Sequence, residues 1–475
     1  MDRQSGRPPA SEGSLGVTGA KALRRPDKST ERPDDSDVPG LAARRVAARL
    51  LASVIEAKTP LDGLTDADGG HPQYRALDGR DRALVRAILT TALRFRMTIQ
   101  ALIDARLDRP LPANATALSH ILHVGAAQML FLDIPDSAAV DLAVSHAKAD
   151  PRSRRFANLV NAILREIVRR KERALPAVLA KTVEAPAWFA ERLRAAYGDE
   201  EATRILDMHK HEAAIDLTVK SDPEGWASKL GGIALPTGSV RIVDPDRPVA
   251  ELDGYAEGEW WVQDTAATFP VRLMGDIAGK RVADICAAPG GKTAQLAHAG
   301  ASVTAIEKVP NRAKRLATNL ERLKLSAEIV VADLFEHRPT ELYDAILVDA
   351  PCSSTGTVRR HPDVLWTKSP DDIARLAALQ RRMLDHAVSL VKPGGTILFC
   401  NCSLDPSEGE EMIAAALKER ADITLDPIRP GEFPFADPYL TPQGCLRTTP
   451  AGLPHDNPRL AGLDGFFAAR LIVET

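Results

Sequence analysis

Two cysteines, Cys352 and Cys402, follow two apparent buried strands and lie in short motifs of similar build. The first motif is Asp349-Ala350-Pro351-Cys352-Ser353, and the second is Asn401-Cys402-Ser403. Because strand ends in an open parallel sheet converge on the ligand crevice, two thiols there indicate nucleophilic chemistry. Few reactions need two cysteines that do not form a disulfide, and methylation of carbon 5 of a pyrimidine in RNA is one of them.

The rest of the composition is typical of a globular chain from a reducing compartment. The 475 residues suffice for about three domains, and the hydrophobic and charged contents are 44% and 26%. The five cysteines lack metal-ligand spacing, so we expect no metal site. No apolar run approaches the roughly 20 residues that cross a bilayer, so we expect no membrane contact. These features predict a cytoplasmic protein, which we expect to act as a monomer.

Charge is unevenly distributed along the chain. The formal net charge is −3, but residues 39–172 carry 20 Lys and Arg against 14 Asp and Glu, a net charge of +6. Residues 251–475 carry 24 basic against 31 acidic residues, a net charge of −7. This division indicates a basic module that holds a polyanion and a more acidic module that does the chemistry. An uneven solvated surface is an equally good explanation of the charges alone.

Apolar spacing divides the chain into four predicted parts. Residues 1–38 nearly lack large apolar side chains and are predicted to be a disordered tail. Residues 39–172 show helical spacing, with basic residues clustered at the last helix, where they could meet phosphates. Residues 173–250 are predicted to be a small α+β connector that could also contact RNA. Residues 251–475 alternate between strands and helices.

The alternation after residue 250 predicts a doubly wound, mostly parallel sheet with helices on both faces. The candidate strands are 281–286, 302–307, 328–332, 345–349, 396–400 and 466–473. The candidate helices are 292–299, 311–324, 371–391 and 407–418.

A glycine-rich loop follows the first of these strands and predicts a nucleotide-like ligand. It consists of Cys286, Ala287, Ala288, Pro289, Gly290, Gly291 and Lys292. Such a turn lets the backbone approach a ligand and directs a helix N-terminus at it. A Walker loop is disfavoured because Cys286 stands where that motif needs glycine.

Acidic residues end the next strands and support the same interpretation. Glu307 ends the second strand and could bind two ribose hydroxyls, while Asp333 follows the third and could meet an adenine edge. A dinucleotide fits these acids only in part. S-adenosylmethionine has no phosphates and fits the acidic lining better.

With these residues in place, the chain resembles the RNA cytosine-5 methyltransferases, and most closely the bacterial RsmB (Fmu/Sun) branch, which methylates 16S ribosomal RNA. The resemblance covers most of residues 40–475. Its specific parts are the segments 286–292, 349–353, 359–363, 402–403 and 464–467. Residues 159–165 are similar to part of the NusB RNA-binding domain that this branch carries at its N-terminus.

The resemblance implies a Rossmann-like methyltransferase domain, an all-α NusB-like domain and S-adenosylmethionine as cofactor. It implies cofactor contacts from the 286–292 loop, Glu307, Asp333 and Asp349. It also implies that Cys402 is the nucleophile and that Cys352 assists breakdown of the adduct. Asp349 could hold the base near N-3 while negative charge develops. The family usually has Thr in place of Asn401 and often Asp in place of Glu307.

The other three cysteines have simpler interpretations. Cys400 and Cys445 are predicted to be small buried hydrophobes, and Cys286 is expected to serve the cofactor through its backbone. Arg359, Arg360 and His361 are expected to contact RNA phosphates rather than only to solvate a loop.

Two alternatives to the 16S enzyme stay open at this point. The first is the same reaction on transfer RNA or at another ribosomal site. The second is a non-catalytic RNA-binding assembly factor, which loss of Cys402 or of Gly290-Gly291 would have favoured; both are present.

Overall fold

The structure is a computed structural model that describes residues 38–112 and 114–474. The predicted disordered tail, apart from Val38, lies outside the described residues. None of the helices in the described part of the chain is long and apolar enough to cross a membrane.

The first part of the described chain is helical, as predicted. Its helices are α1 (Leu41–Ile55), α2 (Leu61–Leu64), α3 (Pro72–Arg75), α4 (Gly79–Arg94), α5 (Arg96–Asp104), α6 (Thr116–Phe131), α7 (Asp136–Ala149) and α8 (Ala157–Leu179). Apolar residues spaced three or four apart, such as Leu50 and Val54 in α1 or Val160 and Leu164 in α8, meet in one core. The expected boundary at residue 172 falls inside α8, because the amphipathic pattern continues past the basic cluster.

A small mixed region follows the helical one. It contains α9 (Ala187–Met208), β1 (Ile215–Val219), α10 (Pro223–Leu230), β2 (Ile233–Ala234), β3 (Ser239–Ile242) and β4 (Trp260–Val262). The strands form an antiparallel sheet in the order β2-β3-β1-β4. Since β4 lies beyond residue 250, this sheet takes one strand from the segment assigned by sequence to the next domain.

The large sheet contains eight strands. They are β5 (Arg281–Ile285), β6 (Ser302–Glu307), β7 (Glu328–Val331), β8 (Tyr343–Asp349), β9 (Val391–Asn401), β10 (Ile423–Leu425), β11 (Leu446–Thr448) and β12 (Phe466–Val473). Their order is β10-β12-β9-β8-β5-β6-β7, with β11 beside β12. The strands from β5 to β9 are parallel, whereas β10, β11 and β12 pair in the antiparallel sense. The predicted doubly wound, mostly parallel sheet is therefore confirmed.

Both faces of this sheet are covered by helices. These are α11 (Thr265–Arg272), α12 (Gly291–His298), α13 (Pro310–Arg322), α15 (Pro370–Val388) and α16 (Glu410–Glu419). The short helix α14 (Val364–Thr367) lies between β8 and α15 and contacts α1 instead. Neighbouring residues of one strand enter different cores: Ala283 packs with Leu384 of α15, and Val282 packs with Phe269 of α11. Burial on both faces explains why the central strands are continuous apolar runs.

The strand order also locates the ligand crevice. The chain leaves β5 towards β6 on one side and later returns to β8 on the other. In such sheets ligands bind outside the carboxyl ends of the strands at this switch point. All the predicted site residues lie at or just after those carboxyl ends.

One arginine connects the three parts of the chain. Arg94, the last residue of α4, donates from Nη1 to the carbonyl oxygens of His209 and His211, both at 3.0 Å. Its Nη2 donates to the carbonyl oxygen of Arg359 at 2.9 Å. Burial lowers the pKa of Arg94 to about 10, so the group remains charged at neutral pH. The helical part, the mixed region and the loop after β8 thus meet at one guanidinium.

Candidate active site

The two predicted catalytic thiols lie next to each other at the carboxyl edge of the sheet. Cys352 follows β8 and Cys402 follows β9, and their Sγ atoms are 3.4 Å apart. A disulfide bond would bring the sulfurs to about 2.05 Å, and both cysteines are free. The hydrogen bond to Cys402 and burial raise the pKa of the Cys352 thiol, so Cys352 is protonated at neutral pH.

Burial favours the structural roles predicted for the other three cysteines. Cys400 is fully buried in β9, and its Sγ donates to Asp349 Oδ1 at 3.7 Å. Burial raises the pKa of the Cys445 thiol to about 11 and that of the Cys286 thiol to about 12. These thiols are poor nucleophiles, because the thiolate is the reactive form.

A cleft of about 430 Å³ opens beside the glycine-rich loop. Residues 287–292, Asp349, Cys402 and Phe466 are among the residues that line it. Cys402 therefore faces the space that a ligand would enter. The cleft brings together the candidate nucleophile, part of the candidate cofactor loop and Asp349, as the sequence predicted.

Lys292 is one of the residues that line this cleft. Its Nζ donates to Asp349 Oδ2 at 2.8 Å and lies 4.9 Å from the ring centre of Phe466. Burial lowers the pKa of Lys292, but the combined effect of Asp349, Cys400 and Asp284 is larger and raises it. Lys292 is therefore a buried ammonium held between a carboxylate and an aromatic face. The sequence placed Lys292 only in the cofactor loop and did not assign a role to Phe466.

The loop that carries the glycines is held tightly against the next helix. Gly290 has a φ of 108°, in the region that favours glycine. A Cβ atom at this position would lie 2.5 Å from Leu316 Cδ1 of α13. The loop can therefore pack against α13 in this conformation only because this residue has no side chain.

Glu307, at the end of β6, and Asp333, after β7, differ in the number of hydrogen bonds that their carboxylate oxygens receive. Glu307 is 2% exposed, and its Oε1 accepts from the backbone N–H of Val309 at 2.9 Å. Its Oε2 has no hydrogen-bond donor among the described residues, although Arg312 Nη1 lies 3.3 Å away. Asp333 accepts from Lys308 Nζ and from the N–H of Phe335, and the Lys308 bond lowers the pKa of Asp333.

Asp284 is a buried acid that the sequence did not single out. It lies in β5 and accepts from the hydroxyl of Thr293 at 2.5 Å. Burial raises the pKa of Asp284 to about 7. Because Thr293 is in the first turn of α12, this bond ties the helix after the glycine-rich loop to the strand before it.

The structure contradicts the expected phosphate contact of Arg359 and shows protein partners for Arg360. Arg359 is 1% exposed and donates to the carbonyl oxygen of Ala461 at 3.0 Å. Arg360 pairs with Asp264 at 2.5 Å and with Asp464 at 3.1 Å, and its third nitrogen donates to a backbone carbonyl. The prediction is wrong for Arg359, because its guanidinium group is buried. Arg360 is partly exposed in the lining of the cleft, but each of its three nitrogens already has a protein partner.

The chain after these arginines contacts the helical part instead of solvent. Trp366 Nε1 donates to the carbonyl oxygen of Leu93 at 2.9 Å, and Lys58 Nζ donates to the carbonyl oxygen of Trp366 at 2.8 Å. The N–H of Leu61 donates to Asp363 Oδ2 at 2.9 Å. The segment that follows Cys352 is thus fixed to α4 and to the start of α2.

Two family models match this chain. The family described as "16S rRNA methyltransferase RsmB/F" matches residues 274–472. The "NusB family" matches residues 41–169. The first match covers the large sheet and its loops, and the second covers most of the helical part.

Similar proteins of known name span nearly the whole chain. A protein of Xylella fastidiosa (strain Temecula1) named "Ribosomal RNA small subunit methyltransferase B" is 36% identical, and the match covers 91% of this chain and 98% of the relative. A protein of the same name from Vibrio cholerae is 33% identical and covers 82% and 92% of the two chains. The crystal structure of PH0851 shares the fold with a TM-score of 0.68 at 21% identity, over 92% of this chain and 99% of that one.

Proposed function

Because the chain belongs to the 16S rRNA methyltransferase RsmB/F family, we propose that it methylates carbon 5 of a cytosine in 16S ribosomal RNA through a covalent adduct with Cys402. The predicted family is confirmed, and with it an RNA methyltransferase that uses S-adenosylmethionine. The site of methylation on the base and the roles of individual residues are the proposal. The single observation that carries it is the 3.4 Å separation of two free thiols beside the cleft.

The residues at the strand ends fit S-adenosylmethionine. Glu307 offers a buried carboxylate oxygen that receives no hydrogen bond from residues 38–112 or 114–474, which suits a ribose hydroxyl. Gly290 lets the loop pack against α13, and residues 287–292 of the loop line the cleft. We propose that residues 286–292, Glu307, Asp333 and Asp349 hold the cofactor. When bound there, the cofactor supplies a methyl group on a positively charged sulfur.

Changing Glu307 to Gln should weaken binding of S-adenosylmethionine by about tenfold. The amide keeps the shape but loses the charged acceptor, and hydrogen bonds to charged groups contribute about 1.5–3 kcal/mol. Isothermal titration calorimetry measures this change directly. Glu336→Gln is the matched control, since Glu336 is an exposed acid near the same edge of the sheet. Unchanged affinity in Glu307→Gln, or tight ATP binding without a response to S-adenosylmethionine, would contradict the proposed cofactor site.

Cys402 would begin the reaction by attacking carbon 6 of the cytosine. The new sulfur–carbon bond moves an electron pair of the ring towards N-3 and leaves carbon 5 enamine-like, so that carbon 5 can take a methyl group. Lys292 and Asp349 lie in the same cleft lining, where charge develops on the ring. We propose that Asp349 orients the ring near N-3 and that the Lys292 ammonium stabilises the added electron density. The target base must leave its stack to reach this cleft.

Cys352 would complete the reaction. After methyl transfer, carbon 5 carries a proton that must leave before the Cys402 bond can break. The electron pair of that carbon–hydrogen bond re-forms the ring double bond, and Cys402 departs as a thiolate. Cys352 lies 3.4 Å from Cys402 and is suited to accept this proton as a base or to position one, once it has lost its own.

The helical part is proposed to hold the RNA. Residues 39–172 carry a net charge of +6. Some basic residues of α8 are less available for phosphate contacts than the sequence suggests. Arg169 and Arg170 both pair with Glu166, and Lys171 pairs with Asp136 at 2.8 Å. The exposed residues Arg154, Arg155 and Arg165 are better candidates for phosphate contacts. The division of the chain near residues 172 and 250 stays part of the proposal, although α8 extends past the first boundary and the small sheet past the second.

Bisulfite sequencing of RNA from cells that lack this protein tests the proposed target. Bisulfite converts cytosine but not 5-methylcytosine, so one protected cytosine in 16S ribosomal RNA should become converted. The wild-type gene should restore protection, and a Cys402→Ala gene should not. Loss of protection only in transfer RNA would contradict the 16S assignment, and no loss in any RNA would contradict cytosine-5 chemistry.

A further inference from the structure

Glu408 is a buried carboxylate between the two loops that carry the cysteines. Its side chain is fully buried, and it follows Cys402 by six residues in a turn before α16. We propose that Glu408 is the positioning residue that sets the spacing between Cys352 and Cys402. The inference rests on the proposed function, because it assigns Glu408 a part in a reaction that needs both thiols.

Glu408 accepts hydrogen bonds from both cysteine loops. Its Oε1 accepts from the N–H of Ser353 at 2.9 Å, and its Oε2 accepts from the hydroxyl of Ser353 and from that of Ser403 at 2.6 Å. Ser353 follows Cys352 directly, and Ser403 follows Cys402 directly. One carboxylate therefore connects the residues next to the two thiols.

The remaining contacts fix Glu408 itself. Gln380 of α15 donates from Nε2 to Glu408 Oε1 at 2.9 Å and to the carbonyl oxygen of Pro351 at 3.0 Å. Asn401 donates to the backbone carbonyl of Glu408 at 2.6 Å and accepts from the N–H of Ser403 at 3.0 Å. Asn401 thereby supplies one donor and one acceptor at the position where the family usually has Thr.

The bonding pattern explains why this residue is a carboxylate. An ionised carboxylate offers about four acceptor sites, and Glu408 receives four hydrogen bonds from neutral groups. Within the described part of the chain no Lys or Arg forms an ion pair with it. The carboxylate therefore accepts hydrogen bonds from separate loops and does not serve to neutralise a buried cation.

Glu408→Ala should lower kcat by about 100-fold, since a displacement of about 1 Å in a reacting group costs a factor of that size. The affinity for S-adenosylmethionine should stay within about threefold, because none of the hydrogen bonds of Glu408 is to a proposed cofactor residue. Glu408→Gln keeps the shape and, with the serine hydroxyls reversed, most of the bonds, so it should restore much of the kcat. Glu411→Gln is the matched control on the exposed face of α16.

A second measurement reads the thiol spacing without any RNA. Diamide, an azo oxidant, accepts two electrons and two protons from the two thiols and becomes a hydrazine, while the sulfurs form a disulfide. Mass spectrometry of linked peptides follows the Cys352–Cys402 product. This product should form about tenfold more slowly in Glu408→Ala than in the wild type and in Glu411→Gln, because the loops lose their common anchor.

The two readouts separate the possible failures. If the wild type does not methylate RNA cytosine, slower disulfide formation in Glu408→Ala still supports the positioning role. Wild-type kcat and wild-type disulfide formation in a folded Glu408→Ala would overturn it. If Glu408→Ala does not fold, Ser353→Ala combined with Ser403→Ala removes the hydroxyl contacts and should slow both processes. Unchanged rates in that double variant would then overturn the inference.

Discussion

Replacing Cys402 with alanine should abolish methyl transfer to RNA, with turnover reduced by at least about 10⁴-fold. Removing a catalytic nucleophile has effects of this size, because the reaction loses its covalent intermediate. The proposed cofactor residues are Glu307, Asp333, Asp349 and the 286–292 loop, which the change leaves intact. Binding of S-adenosylmethionine should therefore stay within about threefold of the wild-type affinity. Transfer of a radioactive methyl group to RNA, combined with calorimetry, measures both quantities.

Cys445→Ala is the matched control for this change. It removes a buried thiol of the same size from a position outside the cleft lining, and it should leave turnover close to the wild-type value. Turnover near normal in Cys402→Ala would rule out Cys402 as the nucleophile. Loss of cofactor binding in the same variant would show that the change damages the fold of the site.

Replacing Cys352 with alanine should have a different result, in which the protein remains attached to its RNA. Cys402 can still attack and the methyl group can still be transferred, but the step that breaks the sulfur–carbon bond loses its assisting thiol. A denaturing gel should show a slowly migrating protein–RNA adduct, whereas the wild type shows little. Multiple-turnover activity should fall while a single methyl group per protein is still transferred.

The double variant with Cys352→Ala and Cys402→Ala identifies the attachment point. It should show no adduct, because the sulfur that forms the bond is absent. An adduct that persists in the double variant would point to another nucleophile. Normal turnover without any adduct in Cys352→Ala would mean that this thiol is structural.

The fold of the large sheet could be predicted because its central strands are buried on both faces. The strands at 302–307 and 466–473 have their predicted bounds, since continuous apolar runs mark such strands. β9 begins at Val391 rather than at 396, because pairing of Val391 with Tyr343 overrides the local signal of Pro393, Gly394 and Gly395. Residues that disfavour a strand locally are overridden by pairing with a strand that is distant in the chain. The local sequence does not reveal that pairing.

Site residues could be predicted where a short motif marks them. They could not be predicted where their role depends on residues that are distant in the chain. Cys352 and Cys402 are marked by their position after buried strands. The sequence instead predicts Arg360 to be a solvated or phosphate-binding residue, because its partners Asp264 and Asp464 are about 100 residues away in the chain. The sequence predicts a helix over 407–418 that would include Glu408, whereas α16 begins at Glu410 and leaves Glu408 free to bond with Ser353.

The contacts of Arg94 bear on whether the helical part of this chain can be replaced by another domain. Three carbonyl oxygens from two other parts of the chain depend on one guanidinium at the end of α4. Excising the helices would leave those acceptors without their donor and would expose the ring of Trp366, whose Nε1 bonds to Leu93. The helical part is therefore not an interchangeable accessory. A chimaera that joins this methyltransferase domain to a foreign RNA-binding domain would have to reproduce Arg94 and the carbonyl of Leu93 at the seam.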